Sequence, residues 1–288
     1  TRQPLPDALK PLMATGYRKA SGETVEFEIV GPAPAGSMSS TGSDMARFMI
    51  AHLNGGELDG TRILKPETAR MMHTSIKKYV PPLDGMALGF FETDINGREV
   101  IAHLGDTGAF HTSLHLFLND GVGLYASFNS SGEQGAVNGV RISLFEQFAD
   151  RYFPQKPDAR RVPKEEAKKH AQMMAGNWIP SRRADSTFLN ITQLIGQTEV
   201  SVGKDGELIL PAGLSLSAAP AKWVEVEPFV WHDLNSDQRA AAVVENGEVK
   251  RFSLSILSAF TVFERPPFYK NSAVLVPLLL LSIGILLL

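Results

Sequence analysis

Residues 100–128, VIAHLGDTGAFHTSLHLFLNDGVGLYASF, decide the fold class. Between Thr112 and Leu118 the side chains of Leu114, Leu116 and Leu118 fall on one face of an extended chain, because successive residues of a strand point to opposite sides. Asn119-Asp120-Gly121 supplies a turn, and Val122 to Phe128 runs on in strand-forming residues, so the stretch predicts an antiparallel hairpin. A second hairpin is predicted just upstream. Ala87 to Thr93 and Val100 to Leu104 flank Asn96-Gly97, a dipeptide that readily takes the positive backbone angles of a tight two-residue turn.

Outward from these strands the period changes from two to about 3.6. Thr41 and Ser43-Asp44 offer caps to a helix whose apolar face carries Met45, Phe48, Met49 and Leu53, and Gly55-Gly56 ends it. A shorter helix begins at Pro66-Glu67 and has Met71 and Met72 near its end. Gly135 to Tyr152, with Val140, Leu144, Phe145 and Phe148, predicts a third helix lying back over the strands. An antiparallel sheet with flanking helices is an α+β arrangement. Ahead of it, Gly31-Pro32-Ala33-Pro34-Ala35-Gly36 reads as a loop or stiff lead-in.

Pro154 to Glu166 mixes prolines with dense charge and marks the best boundary, with an exposed linker expected over 154–170. Beyond it the signals are nearly all strand: Glu199 to Val202, Leu208 to Leu210, Trp223 to Val226, Ala240 to Val244, Val249 to Leu254 and Ala259 to Phe263. Short strands separated by turns such as Lys204-Asp205-Gly206 predict a small all-β barrel domain over 171–268. From Ser272 to Leu288 no residue is charged, and Phe268, Tyr269 and Lys270 precede the run as interface residues would. At about 1.5 Å per residue this stretch reaches roughly 25 Å, against a hydrocarbon core of roughly 30 Å, so 272–288 is expected to be the beginning of a transmembrane helix.

Bulk properties narrow the function. A net charge of −3 lacks the positive field that binding a phosphate backbone requires, so no nucleic acid partner is expected. With Cys 0, disulfides, thiolate nucleophiles and cysteine zinc sites are excluded. Thr1 to Lys10 has no basic segment followed by an apolar one, so no signal peptide is expected there.

Several segments together carry a family likeness. Pro34-Ala35-Gly36-Ser37-Met38-Ser39-Ser40-Thr41, then Asp44-Met45-Ala46-Arg47-Phe48, Asn54-Gly55-Gly56, Ile63-Leu64-Lys65-Pro66-Glu67-Thr68 and His103-Leu104-Gly105-Asp106-Thr107-Gly108-Ala109-Phe110 follow in that order. Residues 1–153 thereby resemble the C-terminal part of the serine β-lactamase and penicillin-binding-protein family, most closely its class C-like esterases and D-aminopeptidases, and 171–268 resembles the small barrel domain that often follows. The resemblance implies a serine acyl-enzyme that cleaves an ester or amide in a small molecule or peptide, with no cofactor and no metal. Such a family uses S-x-x-K, Y-x-N and a third triad on the strand lining the cleft. His103-Leu104-Gly105 resembles the third. For the other two no counterpart is found: no Ser precedes a Lys by three residues in a suitable helical setting, and Tyr17 is followed by Lys19 where Asn is required. The expectation is therefore a nucleophile before residue 1, a fragment inactive by itself, and an alternative in which the fold serves a non-catalytic envelope protein.

Physical reasons support the roles that the resemblance suggests for His103, Gly105 and Asp106 in catalysis and for Leu104, Thr107 and Gly108 in substrate binding. A glycine at 105 admits a substrate backbone close to the strand edge. The Asp106 amide is a candidate donor to an oxyanion, and His103, on the same face as Gly105, is a candidate proton donor or orienting group. Leu104 stands where the family commonly has Thr or Ser, which favours an ester or peptide over a penicillin carboxylate. The Asp106 side chain helps only if it points away from the oxyanion.

Other polar and aromatic residues have plainer readings. His111 and His115, four residues apart on a strand, are separated by roughly 13 Å, too far to share one metal ion, and are expected on the strand surface. Trp178, Trp223 and Trp231 are expected as core or rim packing of the barrel, and Arg182, Arg183 and Lys164 to Lys169 as a solvated face. Cell-wall substrates lie outside the cytoplasm, so a membrane-anchored protein with extracytoplasmic domains is expected.

Overall fold

A computed structural model of the chain describes residues 4–31, 35–156, 159–194, 196–214 and 220–287. Pro32 to Pro34 of the predicted lead-in, and Pro157 and Asp158 of the expected linker, lie outside the described residues. The chain divides into two compact units, one of Thr1–Ile76 and Ala87–Gln155, the other of Lys77–Met86 and Lys156–Leu288.

In the first unit, β1 (Gly16–Tyr17) and β2 (Thr24–Val25) pair, then α1 (Gly42–Leu53), the small pair β3 (Glu57–Leu58) and β4 (Thr61–Arg62), and α2 (Pro66–His73) follow. A four-stranded antiparallel sheet comes next, in the order β5 (Phe91–Glu92), β6 (Val100–Asp106), β7 (His111–Phe117) and β8 (Val122–Phe128), and α3 (Val137–Tyr152) closes the unit. The local signals operate as the residues dictate. The Thr41 side chain accepts from the Asp44 amide at 3.1 Å and starts α1, and Pro66 occupies the first turn of α2, where its missing N–H costs nothing. Asn96 and Gly97 both take positive φ, 51° and 70°, as the turn between β5 and β6 requires.

Strand β7 is central, and both its faces are covered. Leu114 and Leu116 pack with Ile101 and with Met49 of α1, while on the other face Phe117 packs with Phe145 and Ala149 of α3. This corrects the strand-surface reading of His111 and His115, which are buried at 8% and 6% exposure.

The second unit holds α4 (Lys164–Met174) and an eight-stranded antiparallel sheet of β9 (Gly176–Pro180), β10 (Thr198–Val202), β11 (Leu208–Ile209), β12 (Trp223–Glu227), β13 (Val230–Asp233), β14 (Arg239–Glu245), β15 (Glu248–Leu254) and β16 (Phe263–Glu264). The order is β11-β10-β9-β16-β15-β14-β13-β12, and the end strands β11 and β12 approach each other, so the sheet curls into a nearly closed barrel. Trp178, Trp223 and Trp231 form its core with Phe252, Leu254 and Phe263, and Ala171 and Met174 of α4 plug into the same cluster. The Trp178 indole N–H donates to the Met174 carbonyl at 2.9 Å, so the polar tip of this fully buried ring is satisfied.

One expectation is overturned. The apolar C-terminal run forms α5 (Ser272–Leu286), 15 residues long, and no helix among the described residues is long and apolar enough to cross a membrane. Its start is fixed by polar contacts: Asn271 accepts from the Ala273 amide at 3.0 Å, and the Asn177 amide group donates to Asn271 Oδ1 at 2.8 Å and to Ser272 Oγ at 2.9 Å. From that anchored start the helix extends about 22 Å, well under the roughly 30 Å of a hydrocarbon core. The fold is therefore an α+β unit and a barrel-like unit without the predicted transmembrane segment, and the membrane loses its support as a partner through this helix.

Candidate active-site edge

The candidate site lies on β6, and the register of the hairpin tells which of its groups are free. Leu118 N–H donates to the Glu99 carbonyl at 3.2 Å and Thr107 N–H to the Phe110 carbonyl at 2.9 Å, so odd-numbered residues of β6 exchange hydrogen bonds with β7. Even-numbered residues face the other way. Ala102 and Ile101 are the positions matched by β5, and from His103 onward no strand pairs that side among the described residues. The amides of Leu104 and Asp106 consequently point at an open edge.

Side chains alternate in the opposite sense. His103 and Gly105 share the face of Ile101, and His103 is exposed. A Cβ at Gly105 would lie 2.6 Å from Thr112 Oγ1, so a larger residue there would force its neighbour to shift. Leu104 is 39% exposed and presents only hydrocarbon. Asp106 turns toward α3. Its Oδ1 lies 2.9 Å from Arg141 Nη2 and 2.7 Å from His111 Nδ1, so its charge is compensated away from the open edge.

Thr107 and Gly108 are already engaged. The Thr107 hydroxyl donates to Glu28 Oε2, the Gly108 amide to Glu28 Oε1 at 2.6 Å and the Ala109 amide to Glu28 Oε2 at 3.2 Å. Three donors converging on one carboxylate make the hairpin tip a small anion nest, filled by the chain itself.

Sequence reasoning missed Glu28, Arg141 and Ser131. Arg141 is buried at 7% exposure and donates to the Thr112 carbonyl at 2.9 Å and to Asn138 Oδ1 at 2.8 Å, besides its pairing with Asp106. A signal existed: Val137, Arg141, Phe145 and Ala149 share the buried face of α3, and a lone cation in an apolar stripe calls for a partner. Burial, followed by the Arg141 charge, pulls the His115 imidazole down to about 3, so this ring stays neutral, stacked 4.0 Å from Phe145. Among the described residues no cluster of three or more His, Cys, Asp or Glu is arranged to hold a metal ion.

The nucleophile motif has no helical counterpart. Ser75 and Lys78 have the S-x-x-K spacing, as do Ser201 and Lys204, yet Ser75 lies past the end of α2 and Ser201 is in β10. Residues 1–146, slightly more than half of the chain, match the family described as Beta-lactamase.

The chain belongs to the Beta-lactamase family.

Its match to solved structures is distant. It is similar to a structure described as SurE with D-Leu, at 15% identity and a TM-score of 0.39, over 70% of this chain and 44% of that one. It is also similar to the octameric penicillin-binding protein homologue from Pyrococcus abyssi, at 14% identity and a TM-score of 0.33, over 77% of this chain and 46% of that one. The chain thus spans less than half the length of these structures. No curated protein matches it.

Proposed function

We propose that the open edge of β6 is one wall of an acyl-transfer cleft in a serine hydrolase, and that its substrate is an ester or amide in a small molecule or peptide. One observation carries this reading: the Asp106 amide faces the open edge while the Asp106 carboxylate is tied behind the sheet to Arg141 and His111. In this reading the amide stabilises the oxyanion, a kind of contact that contributes about 3 kcal/mol in acyl transfer. His103, exposed beside it, orients or protonates the reacting group. Gly105 lets the substrate backbone approach. Leu104 offers no hydrogen bond to a substrate carboxylate, which favours esters and peptides over penicillins. Neither S-x-x-K of the chain lies on a helix, so this wall is assigned no nucleophile of its own.

We infer that the folded units lie outside the cytoplasm, on the footing that cell-wall compounds are among the esters and amides such a cleft could take. A non-catalytic binding role is the alternative, favoured by the lack of a helical S-x-x-K and by the Glu28 carboxylate seated on Thr107 and Gly108. The deciding experiment uses the full-length protein and a fluorogenic ester: His103→Ala is expected to lower kcat/KM about a hundredfold with the fold intact. Turnover equal to wild type, or none in either protein, would sink the hydrolase reading.

A further inference from the structure

His111 joins two side chains behind the β6 edge, those of Asp106 and Ser131. Its Nδ1 lies 2.7 Å from Asp106 Oδ1 and its Nε2 lies 3.0 Å from Ser131 Oγ. We propose that Ser131, His111 and Asp106 form a nucleophilic relay of this chain's own, able to take an acyl or phosphonyl group on Ser131. The proposal goes beyond the β6 cleft and needs no serine from elsewhere.

Proton placement follows from the donor inventory. An ionised carboxylate only accepts, so Nδ1 carries the proton in the neutral ring and Nε2 is left as the acceptor. The Ser131 hydroxyl then donates to Nε2. Its other contact, to the Gly108 carbonyl at 3.2 Å, is the resting alternative for the same proton. The ring is held in place, since His111 is 8% exposed and faces Asp106 directly across the β6–β7 pair. Arg141 Nη2, 2.9 Å from Asp106 Oδ1, holds that carboxylate in place behind the imidazole. Ser131 itself is half-buried, in the loop between β8 and α3, and Gly132 after it takes a φ of 71°.

The step balances with an ester alone. Ser131 Oγ bonds to the carbonyl carbon as its proton passes to His111 Nε2, the acyl–oxygen bond breaks, and His111 returns the proton to the departing alcohol. Water then repeats the sequence and releases the acid.

The test uses the 288-residue chain, a fluorophosphonate probe and peptide mass spectrometry. Wild type is expected to carry one adduct on Ser131, formed with loss of fluoride. Ser131→Ala is expected to abolish it, and His111→Gln to slow labelling about a hundredfold. Ser75→Ala, at a serine with the S-x-x-K spacing that belongs to neither site, is expected to label like wild type. Because the wild-type adduct is mapped directly, poor folding of a variant does not leave the question open. No adduct, an adduct elsewhere, or His111→Gln labelling at the wild-type rate would overturn the relay.

Discussion

Asp106 Oδ1 lies 2.9 Å from Arg141 Nη2 and so binds the rim of β6 to the buried face of α3. The partners are unequal: Arg141 is buried, whereas the Asp106 side chain is 48% exposed.

Removing the cation should cost more than removing the anion. Arg141→Met leaves the Thr112 carbonyl and Asn138 without their donor and is expected to destabilise the first unit by about 3 kcal/mol. Asp106→Asn, on the wetter side, is expected to cost about 1 kcal/mol. Urea unfolding of the two variants measures the difference, and equal losses would contradict it.

Gly105→Ala is expected to lose about 1 to 3 kcal/mol, because its Cβ would meet Thr112 Oγ1 at 2.6 Å. The double variant with Thr112→Ala should recover most of that loss. A double-mutant cycle with no coupling would show that the glycine is needed only for the ligand.

Acid should loosen the contact between α1 and α2. His52 Nδ1 lies 3.0 Å from His73 Nε2, with Phe90 edge-on to both rings. Burial, then the neighbouring His73, pulls His52 down to about 4, and burial lowers His73 as well. Both folded-state values lie below the unfolded value near 6.5, so the unfolded chain binds protons first. Their contribution to stability is full above that value and is lost as pH falls toward about 4. Melting temperatures measured from pH 7 to pH 4 should fall, and His73→Phe should flatten the slope.

Glu28 should protect the hairpin tip. Glu28→Ala removes the acceptor of the Gly108 and Ala109 amides and is expected to speed their hydrogen exchange about tenfold. Unchanged exchange would show that the nest is held without the carboxylate.

Much of the frame was legible from local chemistry. Thr41 and Asp44 start α1, Pro66 starts α2, and Asn96-Gly97 turns the chain into β6, each by a rule acting within four residues. His111 and His115 were misread because a period of two reports which residues share a face, not whether that face is covered. With α1 on one side of β7 and α3 on the other, the face that looked solvated became core.

The order of helices and strands, the phase of the β6–β7 side chains and the family resemblance were all determined by sequence, because turns, caps and periodicity act between near neighbours. Tertiary structure alone decided that Asp106 faces Arg141, that Glu28 fills the nest at Gly108 and that Ser131 meets His111. These pairs stand far apart along the chain, and no local preference specifies them. Packing of α3 and of the N-terminal segment on the sheet brings them together.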